Sequence, residues 1–160
     1  MKYVILYVVC FYSTLLFADD KEIVIDLSEQ KVYAVDDGDI IFEGRISSGK
    51  EGRETPTGEY TIMQKERMHI SNLWPKPDGG AKMPYMMRLT DTGIAMHLGY
   101  VPNRPASHGC VRLKNGFAQK MYRWAKVGTK VSIEGSGSEY MDGLKFVKDY
   151  YGDNYEIIDD

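Results

Sequence analysis

The sequence predicts a mainly β protein with one amphipathic helix late in the chain. Three observations predict it. Sixteen glycines and six prolines divide the 160 residues into short runs, too often for a helical bundle. The early runs alternate apolar and polar residues at strand period. After Leu113 the apolar spacing changes to that of a helix.

The first eighteen residues stand apart. Lys2 is followed by an uncharged run, Tyr3 to Phe17, which ends at Ala18 before Asp19 and Asp20. A positive start, a short apolar run and a small residue at its end read as a secretion signal cleaved after Ala18. The run is short for a membrane span, which needs roughly 20 apolar residues; a retained anchor is the alternative. Cys10 sits inside the run and is not placed for lipid attachment.

The rest then follows in order. In EIVIDLS, Ile23, Ile25 and Leu27 alternate with Val24, Asp26 and Ser28. KVYAV, residues 31 to 35, and IIFEGRIS, residues 40 to 47, flank an Asp-Asp-Gly-Asp turn, a strong hairpin signal. Residues 49 to 54 read as a loop, Thr55 to Gly58 as a turn, and EYTIM, residues 59 to 63, as a strand. Arg67 to Gly93 shows no sustained period and reads as a long functional loop or lid, or equally as a segment whose aromatics serve local packing. His69 lies within it and reads as a surface or structural histidine. From Lys114 to Val127, Phe117, Met121, Trp124 and Ala125 share a helix face, with Asn115 as its cap and Gly128 as its end. TKVSI, residues 129 to 133, is a last strand. Gly135 to Ser138 reads as a linker, and the tail to Asp160 holds a short helix with Leu144, Val147 and Tyr151 on one face.

Size and composition limit the function. At 18.2 kDa the chain is one domain. With 43% hydrophobic and 27% charged residues it is not disordered. A net charge of −3 gives no basic face, which argues against a nucleic-acid partner. Two cysteines exclude a disulfide scaffold and a four-cysteine zinc site. Loss of the signal would leave Cys110 alone, either as an inert core thiol or as a nucleophile.

The neighbours of Cys110 carry the chemistry. If Ile94 to Leu98 is a strand, Ile94, Met96 and Leu98 face one side and His97 the other. If SHGCVRL is extended, His108, Cys110 and Arg112 face a cleft while Val111 and Leu113 face the core. A turn-rich bridge with Pro102, Asn103 and Pro105 returns Cys110 to His97. A nearby imidazolium lowers a thiol pKa from about 8.5 and raises the thiolate fraction. Gly109 permits close approach of a carbonyl, and the N–H groups of Gly109 and Cys110 are candidate oxyanion donors. Arg112 would bind a substrate carboxylate or brace the loop. Zinc held by the histidines and Cys110, or a merely structural turn, are the competing readings.

These residues resemble a known family. SHGCVRL, preceded by MHLGY, is similar to the L,D-transpeptidase catalytic domain of YkuD type. SSGKEGRETPTGEY, KMPYMMRL and VGTKVSI resemble further stretches of that family, so the likeness runs from Glu22 to Glu134. The resemblance implies a β-sandwich-like fold with the helix after the cysteine. It implies Cys110 as nucleophile, His97 as proton donor and acceptor, and His108 as a supporting histidine. Ser107, Gly109 and Arg112 fill the remaining motif positions and are assigned to substrate binding. Leu98 stands where the family often has glycine, and glycine follows at Gly99. In the family a backbone carbonyl can orient the histidine, so its third partner is open here.

The domain expectation is a signal over residues 1–18, a catalytic domain over 19–134, and a linker and tail over 135–160. The functional expectation is an exported, periplasmic or cell-envelope enzyme acting on peptidoglycan stem peptides. It releases D-alanine and forms a 3→3 crosslink, with no cofactor and no metal. Water as acceptor would make it an L,D-carboxypeptidase or hydrolase. A protein acceptor would make it an anchoring enzyme for envelope proteins. An inactive wall-binding module is the reading from a different class.

Overall fold

A computed structural model describes residues 20–76 and 79–151. The secretion-signal reading of residues 1–18 and the acidic end of the tail lie outside the described residues. The elements are β1 (Glu22–Asp26), β2 (Lys31–Asp36), β3 (Asp39–Ser47), β4 (Gly58–Thr61), β5 (Gln64–Lys76), β6 (Gly79–Arg88), β7 (Ala95–Leu98), β8 (Val111–Leu113), α1 (Phe117–Trp124), β9 (Lys130–Glu134) and α2 (Gly137–Tyr151). None of the described helices is long and apolar enough to cross a membrane.

The strands form one sheet in the order β4-β9-β1-β2-β3-β8-β7-β6-β5. β3 joins its two halves: residues up to Arg45 pair with β2, while Ile46 and Ser47 pair with β8. Buried side chains from both halves meet in one apolar cluster. Ile23, Ile25, Val32 and Val131 come from one half, and Met87, Met96, Val111 and Leu113 from the other. The sheet therefore packs across a shared core, the sandwich-like arrangement expected of the sequence. α1 caps this core with Ala118 and Met121, and its Phe117 and Trp124 meet Phe42 edge to face at 5.7 and 5.6 Å.

Most early elements fall where their patterns predict. Asp37 and Gly38 take φ of 52° and 83° in the β2–β3 turn. The region from Arg67 to Gly93 differs: it is mainly a long antiparallel hairpin, with Glu66 opposite Met86 and His69 opposite Met83. Its period is hidden because β6 is covered on both faces. Met87 enters the main core, while the adjacent Met86 enters a second cluster with Met83 and Ala95. Tyr85, at φ 55°, breaks the alternation just before them.

α1 is shorter than its spacing suggests. Its N-cap is Gly116, not Asn115, whose Oδ1 accepts from Gly116 N and Gln119 Nε2. The helix stops at Trp124 because Ala125 is extended, and Gly128 instead turns the chain toward β9 at φ 91°. The expected linker is brief: Gly137 and Ser138 already begin α2. Tyr140 Oη of α2 donates to the Asn103 carbonyl at 3.2 Å, which fixes the helix to the bridge before Cys110.

Candidate active site

β7 and β8 lie side by side and parallel, with Met96 opposite Val111, His97 opposite Arg112 and Leu98 opposite Leu113. The pleat sends Met96, Val111 and Leu113 into the core. His97, Cys110 and Arg112 instead line a cavity of about 830 Å³. Ser107 and His108 line it too, with Arg53, Lys82 and Met83. Five of the six expected site residues are thus brought together. Gly109 is buried and outside the lining. His69 is also outside it, and its Nδ1 is 2.9 Å from Glu66 Oε2.

SHGCVRL is a tight turn entering a short strand rather than an extended run. Gly109 has φ 117°, and a Cβ there would stand 2.9 Å from Ile94 Cδ1. The Ser107 hydroxyl donates to the Cys110 carbonyl and accepts from Gly109 N–H at 3.1 Å. Gly109 N–H is therefore committed within the loop and is not an oxyanion donor in this geometry. Ser107 is only 1% exposed, so its hydroxyl shapes the turn from inside. Thr55 locks the turn from the other side: its Oγ1 accepts from Gly49 N–H and donates to the Gly109 carbonyl, both at 2.8 Å.

The network reaches further back. Buried Gln30 donates Nε2 to Ser48 Oγ at 2.8 Å and accepts from Ser48 N–H at 3.0 Å. The Ser48 carbonyl accepts from Ser107 N–H at 2.9 Å. Gln30, Thr55 and Ser48 have no signal in the local pattern that marks them as site residues, because their partners are distant in sequence. The Thr-Pro-Thr-Gly likeness covers Thr55 without giving its bonds.

The ring of His97 is held by the backbone. Its Nδ1 is 2.8 Å from the Leu98 carbonyl, which can only accept, so Nδ1 carries the proton and Nε2 the lone pair. The Leu98 carbonyl thus stands in the place of the open third partner, which its own side chain does not affect. Gly99, one place on, leaves room for an arginine, since a Cβ there would stand 2.9 Å from Arg112 Cγ.

Burial sets the electrostatics. It pushes the His97 pKa down; the Arg112 charge adds to this, and the Leu98 carbonyl opposes it. Burial pushes the Cys110 pKa up, while the Ala95 amide and the charges of Arg112 and Arg88 pull it down. Both shifts run toward the uncharged form, the thiol for Cys110 and the imidazole for His97. Desolvation works against a thiolate formed beside an imidazolium, since it penalises both charged forms. His108 is exposed, and its pKa is lowered by partial desolvation and by the charges of Lys50, Arg112 and Arg53. Cys110 Sγ also donates to the Gly93 carbonyl at 3.6 Å. Among the described residues, no group of three or more His, Cys, Asp or Glu side chains is gathered as a metal site.

The family model of the L,D-transpeptidase catalytic domain, YkuD, matches residues 20–133. A probable L,D-transpeptidase 3 of Mycobacterium tuberculosis is 29% identical over 100 residues, covering 55% of this chain and 37% of that protein. An L,D-transpeptidase structure from Stackebrandtia nassauensis is 28% identical, with a TM-score of 0.66 over 72% of this chain and 56% of that one. L,D-transpeptidase 1 of Mycobacterium tuberculosis is 26% identical, with a TM-score of 0.63 over 73% of this chain and 63% of that one. The chain thus spans less than two thirds of the length of these relatives. With its sheet, its core and its whole Ser-His-Gly-Cys turn inside the matched stretch, the chain belongs to the L,D-transpeptidase catalytic-domain family.

Proposed function

We propose that this protein is an exported cysteine acyltransferase acting on peptidoglycan stem peptides, with Cys110 as nucleophile and His97 as its acid and base. The observation that carries the reading is a pair in one cavity: a thiol, and an imidazole whose tautomer the Leu98 carbonyl fixes. Sγ attacks the carbonyl of the third stem residue as its proton passes to Nε2 of His97. Nε2 returns that proton to the nitrogen of D-alanine, which leaves, and a Cys110 thioester remains. An amine of a second stem then loses a proton to Nε2, takes the acyl group and restores the thiol. The product is a 3→3 crosslink.

The lining suits such a substrate. Among the described residues it carries Arg53, Lys82 and Arg112 and no carboxylate, in a chain whose net charge is −3. Stem peptides bear carboxylates, so we assign Arg112 to substrate binding, assisted by Lys82. Ser107 and Gly109 act by shaping the turn, and His108 supports the site from its exposed edge. Residues 1–18 direct export.

The test is product analysis by mass spectrometry after mixing the purified protein with disaccharide-tetrapeptide, alongside Cys110→Ala. Dimers lacking one D-alanine, absent from Cys110→Ala, are expected. Tripeptide monomers alone would replace this reading with a carboxypeptidase, and dimers formed by Cys110→Ala would overturn the assignment of the nucleophile.

A further inference from the structure

We propose that Arg88 is a positioning residue for Cys110, favouring its thiolate through space from a neighbouring strand without touching substrate. The strand register carries this inference. Arg88 of β6 stands opposite Ala95 of β7. The pairing of Met96 with Val111 sets Ala95 beside Cys110 at the entry to β8. Arg88, Ala95 and Cys110 thus form one row across the sheet.

They also share a face. Ala95 packs in the second apolar cluster with Met83 and Met86, and Cys110 packs against it. Arg88 is two residues beyond Met86, on the same side of the pleat, while Met87 and Leu89 enter the main core. Only the methyl group of Ala95 stands in the row between the arginine and the cysteine. Arg88 is outside the lining of the cavity, so it acts on the sulfur without standing in the substrate site.

A second observation points the same way. Arg88 Nε is buried and, among the described residues, is the one buried side-chain polar atom without a hydrogen-bond partner. An unpaired buried donor is costly, and each one in a folded protein calls for an explanation. Here the charge offsets the burial of the thiol, acting with that of Arg112. The charged and titratable groups around Cys110 are Arg88 from β6, which acts on it through space, and Arg53, Lys82 of β6, His97 of β7, His108 and Arg112 of β8, which line the same cavity. Among the described residues, no carboxylate lines the cavity to cancel them.

The inference deepens the reading of Cys110 as nucleophile, but its test reads thiol chemistry alone and does not depend on turnover. Modification of Cys110 by iodoacetamide, a neutral reagent, is followed against pH by peptide mass spectrometry on the full protein. Arg88→Met removes the charge and keeps the stem; Arg88→Lys keeps the charge. Arg88→Met is expected to move the midpoint upward and slow modification about three- to tenfold at neutral pH, with the high-pH limit unchanged. Arg88→Lys is expected within about twofold of the parent. An unchanged profile, an equal loss at every pH, or Arg88→Lys behaving as Arg88→Met would overturn the proposal. Should Arg88→Met not fold, Arg88→Gln is read in the same way, and unfolding of both would mark a structural role.

Discussion

Nδ1 of His97 is hydrogen-bonded to the carbonyl oxygen of its own neighbour, Leu98, at 2.8 Å. The ring is therefore oriented by the main chain and not by a side-chain carboxylate. Removing the ring removes the proton carrier, and the hydrogen bond it breaks is to the half-buried carbonyl of the adjacent Leu98. His97→Gln is expected to lower kcat/KM for the acyl transfer by about 10²- to 10⁴-fold. Its Tm should stay within a few degrees of the parent. Retention of more than a tenth of the activity would contradict the assigned role.

Burial lowers the His97 pKa and raises that of Cys110, so the two titrations move apart. His97 must be neutral to accept the proton. Because its pKa lies below the ordinary value of about 6.5, activity should persist to lower pH than a solvent-exposed histidine allows. Cys110 should remain mostly thiol at pH 7, and its alkylation should rise through a midpoint above the ordinary value of about 8.5. A pH profile of kcat/KM together with iodoacetamide kinetics checks both limbs. Full thiol reactivity at pH 6 would show an ion pair and contradict this expectation.

Thr55 Oγ1 joins Gly49 N–H to the Gly109 carbonyl, and Thr55 is only 3% exposed. Thr55→Val keeps the shape and leaves both backbone groups unpaired in the interior. The expected loss is about 2–4 kcal/mol, or a fall in Tm of roughly 5–15 °C. Thr55→Ser should recover most of it. Differential scanning calorimetry of the pair decides whether this hydroxyl or its methyl group holds the turn.

Gly109 takes φ 117°, where side chains are strained, and a Cβ would meet Ile94 Cδ1 at 2.9 Å. Gly109→Ala is expected to move Cys110 relative to His97 and lower kcat/KM by about tenfold or more. A backbone cost of about 1–3 kcal/mol should accompany it. Steady-state kinetics read beside thermal melts separate the two effects.

What the sequence discloses depends on how local each feature is. The hairpin at Asp37 and Gly38 is legible because turn chemistry needs only adjacent residues. β1 is legible because one face alone is fully buried, at Ile23 and Ile25. The β5–β6 hairpin is not, since Met86 and Met87 enter different clusters and erase the alternation. The placement of His97, Cys110 and Arg112 in one cavity follows from the pleat and the family motif. The roles of Gln30, Thr55 and Arg88 require the register of distant strands and loops, which no window of the sequence contains. The upward push on the Cys110 pKa comes from burial in the folded site, which the neighbouring histidines in the sequence do not reveal.

The most direct measurement is the intact mass of the protein during reaction with disaccharide-tetrapeptide, quenched in acid and followed by peptide mapping. The account predicts a transient adduct on Cys110 equal to the substrate less one D-alanine, absent from Cys110→Ala and slow to form in His97→Gln. Turnover with no adduct on Cys110, or an adduct on any other residue, would contradict it.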